Sequence, residues 1–209
     1  MAFGLALALL IPAVFGLGAA PAKPIKIVAF GDSLTAGYLL PADAAFPAAL
    51  ETALRHAGFN VSVVNAGVSG DTAEDGLARL DWSIPDDTDG VILELGANDM
   101  LRGLAPAHTR QTLDAILAKL AARHIKVMIA GMRASPSLGA DYGRAFDAIY
   151  PTLAAKYRVP LYPFFLQGVA GNKSLELADG LHPNRAGVAT IVTQILPLAE
   201  SFVRSVAAR

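Results

Sequence analysis

Two short stretches, far apart in the chain, hold side chains that can act as a nucleophile and as its base. Ser33 follows Gly31-Asp32, at the end of a mostly apolar stretch that opens with the β-branched Ile25, Ile27 and Val28. A strand that ends in a Gly-Asp-Ser turn and enters a helix lifts one hydroxyl to the carboxyl edge of a sheet, where open α/β sheets bind ligands. A serine hydroxyl is a weak nucleophile until a base takes its proton. Near the other end lies Asp179-Gly180-Leu181-His182-Pro183-Asn184. An Asp-x-x-His turn can set the carboxylate against imidazole Nδ1, which fixes the tautomer and leaves Nε2 to take a proton from a serine. Each stretch alone also reads as a polar turn, since turns favour these residues for local reasons.

Two further loops carry residues that can answer charge on an oxygen. Asn65-Ala66-Gly67-Val68-Ser69-Gly70-Asp71-Thr72 has glycines three apart, suited to tight turns whose N–H groups face a ligand, and Asp71 or Thr72 can cap the helix that follows. It is not a phosphate loop, because the G-x-x-x-x-G-K-[ST] pattern is absent. Glu94-Leu95-Gly96-Ala97-Asn98-Asp99 ends a third apolar run, and the Asn98 amide there is either a turn residue or a donor into a site. The remaining histidines, His56, His108 and His124, fall at helical or helix-end positions and read as solvated. A metal pair at Asp179 and His182 lacks a third ligand of convincing spacing, and no H-E-x-x-H pattern occurs. With no cysteine, thiol catalysis, disulfide frameworks and zinc ribbons are excluded.

The elements that must carry these loops alternate. Apolar runs predict strands at Ile25–Phe30, Val61–Asn65, Gly90–Leu95, Ile125–Ala130 and Val159–Tyr162. Helical patterns fall at Ala45–His56, Thr72–Leu80, Pro106–Arg123, Asp141–Tyr157 and Asn184–Val206. In the third of these, Leu113, Ile116, Leu117 and Leu120 share one face. The strands are continuously apolar, as in a parallel sheet covered on both faces, and the alternation implies right-handed βαβ units in a three-layer α/β/α sandwich. The 209 residues, 54% hydrophobic and 17% charged with net charge −1, fill one domain with an ample core; no basic stripe suggests a nucleic-acid partner. Residues 1–22 carry no charged side chain, and an apolar run from Phe3 to Phe15 precedes Ala20-Pro21-Ala22. They read as a cleavable secretory leader, although no Lys or Arg precedes the run. Residues 23–209 are expected to form the mature domain, with no further segment both apolar enough and long enough to span a bilayer.

Taken together, Gly31-Asp32-Ser33-Leu34, Gly67-x-x-Gly70, Gly96-x-Asn98-Asp99 and Asp179-x-x-His182-Pro183 resemble, in order, the four sequence blocks of the GDSL/SGNH hydrolases. The strings GDSLTAGY, VVNAGVSGDT, LELGANDMLRG, AIYPTLAAKY, VPLYPFF and DGLHPN are similar to the bacterial periplasmic thioesterase–lysophospholipase–arylesterase branch. The resemblance implies a five-stranded, flavodoxin-like parallel sheet and a cofactor-free, metal-free serine esterase. It implies Ser33 as nucleophile, His182 as general base and Asp179 as the acid that orients it. The oxyanion hole would be the Ser33 and Gly70 N–H groups and the Asn98 amide. Gly67 is a turn residue, and Asp32 and Asp99 are structural. Substrates implied are small-molecule or lipid esters and thioesters, met in the periplasm or outside the cell, with Arg133–Gly143 shaping the acyl pocket. A carbohydrate O-acetylesterase or acyltransferase with the same triad, and a non-catalytic binding module, are the rival readings.

Overall fold

The computed structural model describes Met1 and residues 23–208; apart from Met1, the leader read at residues 1–22 lies outside the described residues. Five strands form one parallel sheet: β1 (Ile25–Gly31), β2 (Val61–Gly67), β3 (Gly90–Glu94), β4 (Lys126–Ala130) and β5 (Leu161–Tyr162). Their order is β2-β1-β3-β4-β5. The chain moves first to one side of β1 and then to the other, so a crevice opens at the carboxyl ends of β1 and β3. In register, Gly31 lies opposite Gly67 on one side and Glu94 on the other, which ends three strands at one level.

The helices are α1 (Ser33–Ala36), α2 (Phe46–His56), α3 (Ala73–Ser83), α4 (Ala97–Leu101), α5 (Pro106–Ala122), α6 (Ala140–Asp147), α7 (Ile149–Tyr157) and α8 (Arg185–Ala207). α2 packs with α8, and α5 with α3 and α7, giving the sandwich its outer layers. Burial of both sheet faces explains the unbroken apolar runs: Ile27 to Phe30, Val91 to Leu93 and Val127 to Ala130 are all buried. The predicted face of α5 holds, with Leu113, Ile116, Leu117 and Leu120 all in the core.

Several element boundaries differ from the sequence reading. The helix predicted over Asp141–Tyr157 divides at Ala148 into α6 and α7. The last strand shrinks to Leu161–Tyr162: Val159 N–H turns back to the Ala154 carbonyl to close α7, and only Leu161 and Tyr162 pair with Ile129 and Ala130. Thr72 and Asn184 stand before α3 and α8 as caps instead of within them. Of the two candidates for the α3 cap it is Thr72 that serves. Its hydroxyl accepts from Asp75 N–H, and the Asp75 carboxylate accepts from Thr72 N–H, a capping box.

Candidate active site

The nucleophile turn is built by close approach. A Cβ at Gly31 would lie 2.2 Å from Thr35 Oγ1 and 2.5 Å from the Glu94 carbonyl oxygen, and one at Gly67 would lie 2.3 Å from Ala36 N. Only glycine lets β1, β2 and α1 meet this closely. Asp32 caps α1 by accepting Leu34 N–H at 3.0 Å. The Ser33 amide, first in the helix, is left among the N–H groups that a helix cannot satisfy internally.

Across the crevice, Ser33 Oγ is 2.9 Å from His182 Nε2, and His182 Nδ1 is 2.7 Å from Asp179 Oδ2. The other oxygen of Asp179 accepts the backbone N–H groups of Leu181 (2.9 Å) and His182 (3.0 Å). Those two bonds first, with the histidine beside it, hold the carboxyl down at about 2. An ionised carboxylate only accepts, so the ring proton sits on Nδ1 and Nε2 accepts from the serine hydroxyl. The Tyr38 ring lies 4.5 Å from the imidazole, centre to centre, and covers it. The loop is fixed from behind by Asn184, whose amide donates to the Ser174 (2.9 Å) and Glu176 (3.2 Å) carbonyls while its oxygen accepts Gly187 N–H at 3.0 Å.

The two donor loops meet at Asn98. Its amide donates to the Asp71 carbonyl at 2.9 Å and to Asp32 Oδ2 at 3.2 Å. Gly70 takes φ +91°, and its carbonyl accepts from Arg102 at 2.7 Å. Arg79, buried, ties the same loops from below. It donates to the Gly31 carbonyl at 2.8 Å, to the Ala66 carbonyl at 3.0 Å and to Asp71 Oδ2 at 2.5 Å. Two more carboxyls are sealed in here. Asp32 is pushed up to about 7 and Glu94 well above the carboxylate range, in both cases chiefly by burial.

Ser33, Asn98 and His182 line one cleft of about 430 Å³, walled by Leu34, Met100, Leu101, Met132 and Phe164 with Arg133 at its side. Arg133, Ala134, Ser135 and Pro136 from the segment expected to shape the pocket do line it; residues 137–143 do not. The structure thus brings Ser33, Asn98, Asp179 and His182 together, and joins Gly70 to them through the Asp71 and Arg102 bonds. Among the described residues no group of three or more His, Asp or Glu is placed to hold a metal ion. Arg79, Tyr38 and Asn184 escaped the sequence reading. A charged residue among Ala73, Gly76 and Leu80, on the inward face of α3, is the signal that Arg79 carried.

A hydroxyl, a tautomer-fixed imidazole and a carboxylate at the switch point of an open parallel sheet are the groups that acyl transfer to a serine requires. Residues 29–189 match the GDSL-like Lipase/Acylhydrolase family, and the chain belongs to it. It is 37% identical over 179 residues to Esterase TesA of Pseudomonas aeruginosa, covering 85% of this chain and 88% of that protein. It is 42% identical over 160 residues to Thioesterase 1/protease 1/lysophospholipase L1 of Escherichia coli K12, covering 76% of each. AlinE4, an SGNH-hydrolase family esterase, superposes with a TM-score of 0.74 at 47% identity, covering 87% of this chain and 98% of that one. The protein is a serine ester hydrolase of this family.

Proposed function

We propose that the protein cleaves carboxylic esters and thioesters through an acyl-enzyme on Ser33. His182 Nε2 takes the Ser33 proton as Oγ attacks the carbonyl carbon, then passes it to the departing alcohol or thiol. Water, deprotonated by the same nitrogen, attacks the acyl-enzyme and releases the acid. Asp179 stays ionised and stabilises the imidazolium formed in each half. The Ser33 and Gly70 N–H groups and the Asn98 amide take the charge that develops on the carbonyl oxygen. The observation that carries this reading is the unbroken chain Ser33 Oγ, His182, Asp179, at 2.9 and 2.7 Å.

The apolar walls of the cleft suit an acyl chain better than a sugar, which favours aryl and short to medium acyl esters, lysophospholipids and acyl-CoA thioesters as substrates. Residues 1–22 act as an export leader, cleaved after Ala22 or Ala20, and deliver the enzyme to the periplasm or beyond. The test is hydrolysis of a panel of p-nitrophenyl esters from acetyl to palmitoyl, with acyl-CoA alongside, by wild type and Ser33→Ala. Turnover that disappears in the variant, and a single phosphonylated peptide containing Ser33 in the wild type, are expected. Unimpaired turnover in Ser33→Ala overturns the proposal.

A further inference from the structure

The Asn98 amide has two protons, and in the resting enzyme both are in use. One goes to the Asp71 carbonyl at 2.9 Å and the other to Asp32 Oδ2 at 3.2 Å. An amide in this state has nothing left to offer a developing oxyanion, so one bond must be given up as the charge appears. The Asp71 carbonyl is the firmer partner. Its distance is shorter, and its residue is anchored through Arg79 to the Gly31 and Ala66 carbonyls. Asp32 can release its bond without moving, because its other oxygen stays on Leu34 N–H at 3.0 Å.

We infer that Asp32 is a positioning residue: its buried carboxyl holds the Asn98 amide aimed at the cleft in the resting enzyme and yields one N–H to the carbonyl oxygen as that oxygen becomes an anion. The inference rests on the reading of Asn98 as an oxyanion donor. It gives Asp32 a part in the reaction beyond capping α1. A side chain that could not accept there would leave the amide free to turn. A fully ionised carboxylate would hold the amide too well, since charged acceptors bind about twice as strongly as neutral ones, and would set a negative charge beside the oxyanion. The surroundings favour the intermediate case. Asp32 is fully buried, and Glu94, Asp71 and Asp99 face it. Glu94 Oε2 lies 3.4 Å from Asp32 N and accepts the Thr35 hydroxyl at 2.8 Å. Burial first, then Asp71 and Asp99 against the opposing Leu34 and Asn98 hydrogen bonds, brings Asp32 to about 7. It is therefore neutral in part of the neutral range and ionised above it.

The experiment is a kinetic cycle of Asp32→Ser, Asn98→Ala and the double variant on a soluble p-nitrophenyl ester. Serine keeps the cap on α1 but cannot reach Asn98. Asp32→Ser should lower kcat about ten-fold with KM nearly unchanged, a fraction of the 10²–10³ that one such donor carries. In the Asn98→Ala background it should lower kcat no further. The ratio of Asp32→Ser to wild-type kcat should rise between about pH 6 and about pH 8, as wild-type Asp32 ionises, and stay flat in the Asn98→Ala background. Asp32→Asn, which also keeps the cap, is measured beside it in case the serine variant folds poorly. If Asn98→Ala alone leaves kcat intact, the donor reading fails and Asp32 falls with it. If Asn98→Ala slows turnover but the two losses multiply, or Asp32→Ser leaves kcat unchanged, the Asp32 inference fails and the Asn98 reading stands.

Discussion

At the scale of the residue, the proposed site works by fixing protons in place before the substrate arrives. Asp179 does so with three hydrogen bonds to one carboxylate, two of them from the backbone of its own turn. Asp179→Asn would offer an amide N–H toward Nδ1, forcing the ring proton to Nε2, where it can no longer accept from Ser33. A loss of kcat of about 10⁴ is expected, from ester hydrolysis at saturating substrate, with the fold intact by circular dichroism. Asn98 makes a different kind of prediction. Asn98→Ala should cost about 10²–10³ in kcat and in kcat/KM alike, roughly 3–4 kcal/mol. It should also cost about 1–2 kcal/mol of stability, because the Asp71 carbonyl and Asp32 Oδ2 each lose a donor. That second cost is invisible in the sequence, where Asn98 reads as either a turn residue or a donor into a site. A variant that melts early yet turns over normally would remove Asn98 from the mechanism.

At the scale of the element, three of the four loops were legible because each combines a strand end with residues whose local behaviour is specific, and the fourth was legible through its Asp-x-x-His spacing. Gly31 and Gly67 sit where a close approach leaves room only for glycine. What was not legible depends on contacts between elements. The struts from Arg79 to the Gly31 and Ala66 carbonyls, the Tyr38 ring over His182 and the division of α6 from α7 at Ala148 have no periodicity in sequence. β5 was overextended because Val159-Pro160 is apolar, though Val159 N–H serves the end of α7. Asn184 shows how an element end can hold the chemistry. It caps α8 and, with the same amide group, clamps the Ser174 and Glu176 carbonyls behind the acid–base turn. Asn184→Ser keeps the cap and removes the clamp. Stability should then fall by about 1–2 kcal/mol for two lost bonds, read as a modestly lower melting temperature. kcat should fall about ten-fold or more as His182 loses its fixed place, since small displacements of catalytic groups are costly. Equal activity with a lowered melting point would show that the turn holds without the clamp.

At the scale of the whole molecule, the switch point that opens the crevice also gathers acidic side chains where three strands end. Asp32 and Glu94 lie side by side under α1, both fully buried. Glu94 Oε1 and Asp99 Oδ1 have no hydrogen-bond partner among the described residues. This concentration opposes folding once the acids ionise, and the sign follows from linkage. Asp32 moves from 3.8 in the unfolded chain to about 7 in the fold, and Glu94 moves upward from 4.5. Between those limits the folded protein holds protons that the unfolded chain has released, so stability falls as pH rises through that window. Asp179 acts in the opposite sense and lower down. Its stabilisation is present above 3.8 and is lost as pH falls toward about 2. Stability should therefore peak near the bottom of the window set by the buried pair and decline toward neutrality. Glu94→Gln tests the cause. The amide oxygen can still accept from Thr35 and from Asp32 N–H, as Oε2 does now, but the side chain no longer titrates. Melting curves from about pH 5 to about pH 8 should slope downward in wild type and flatten in Glu94→Gln, because one of the two buried acids raised by the fold is gone. A slope as steep as that of the wild type would mean that the pH dependence arises elsewhere on the molecule.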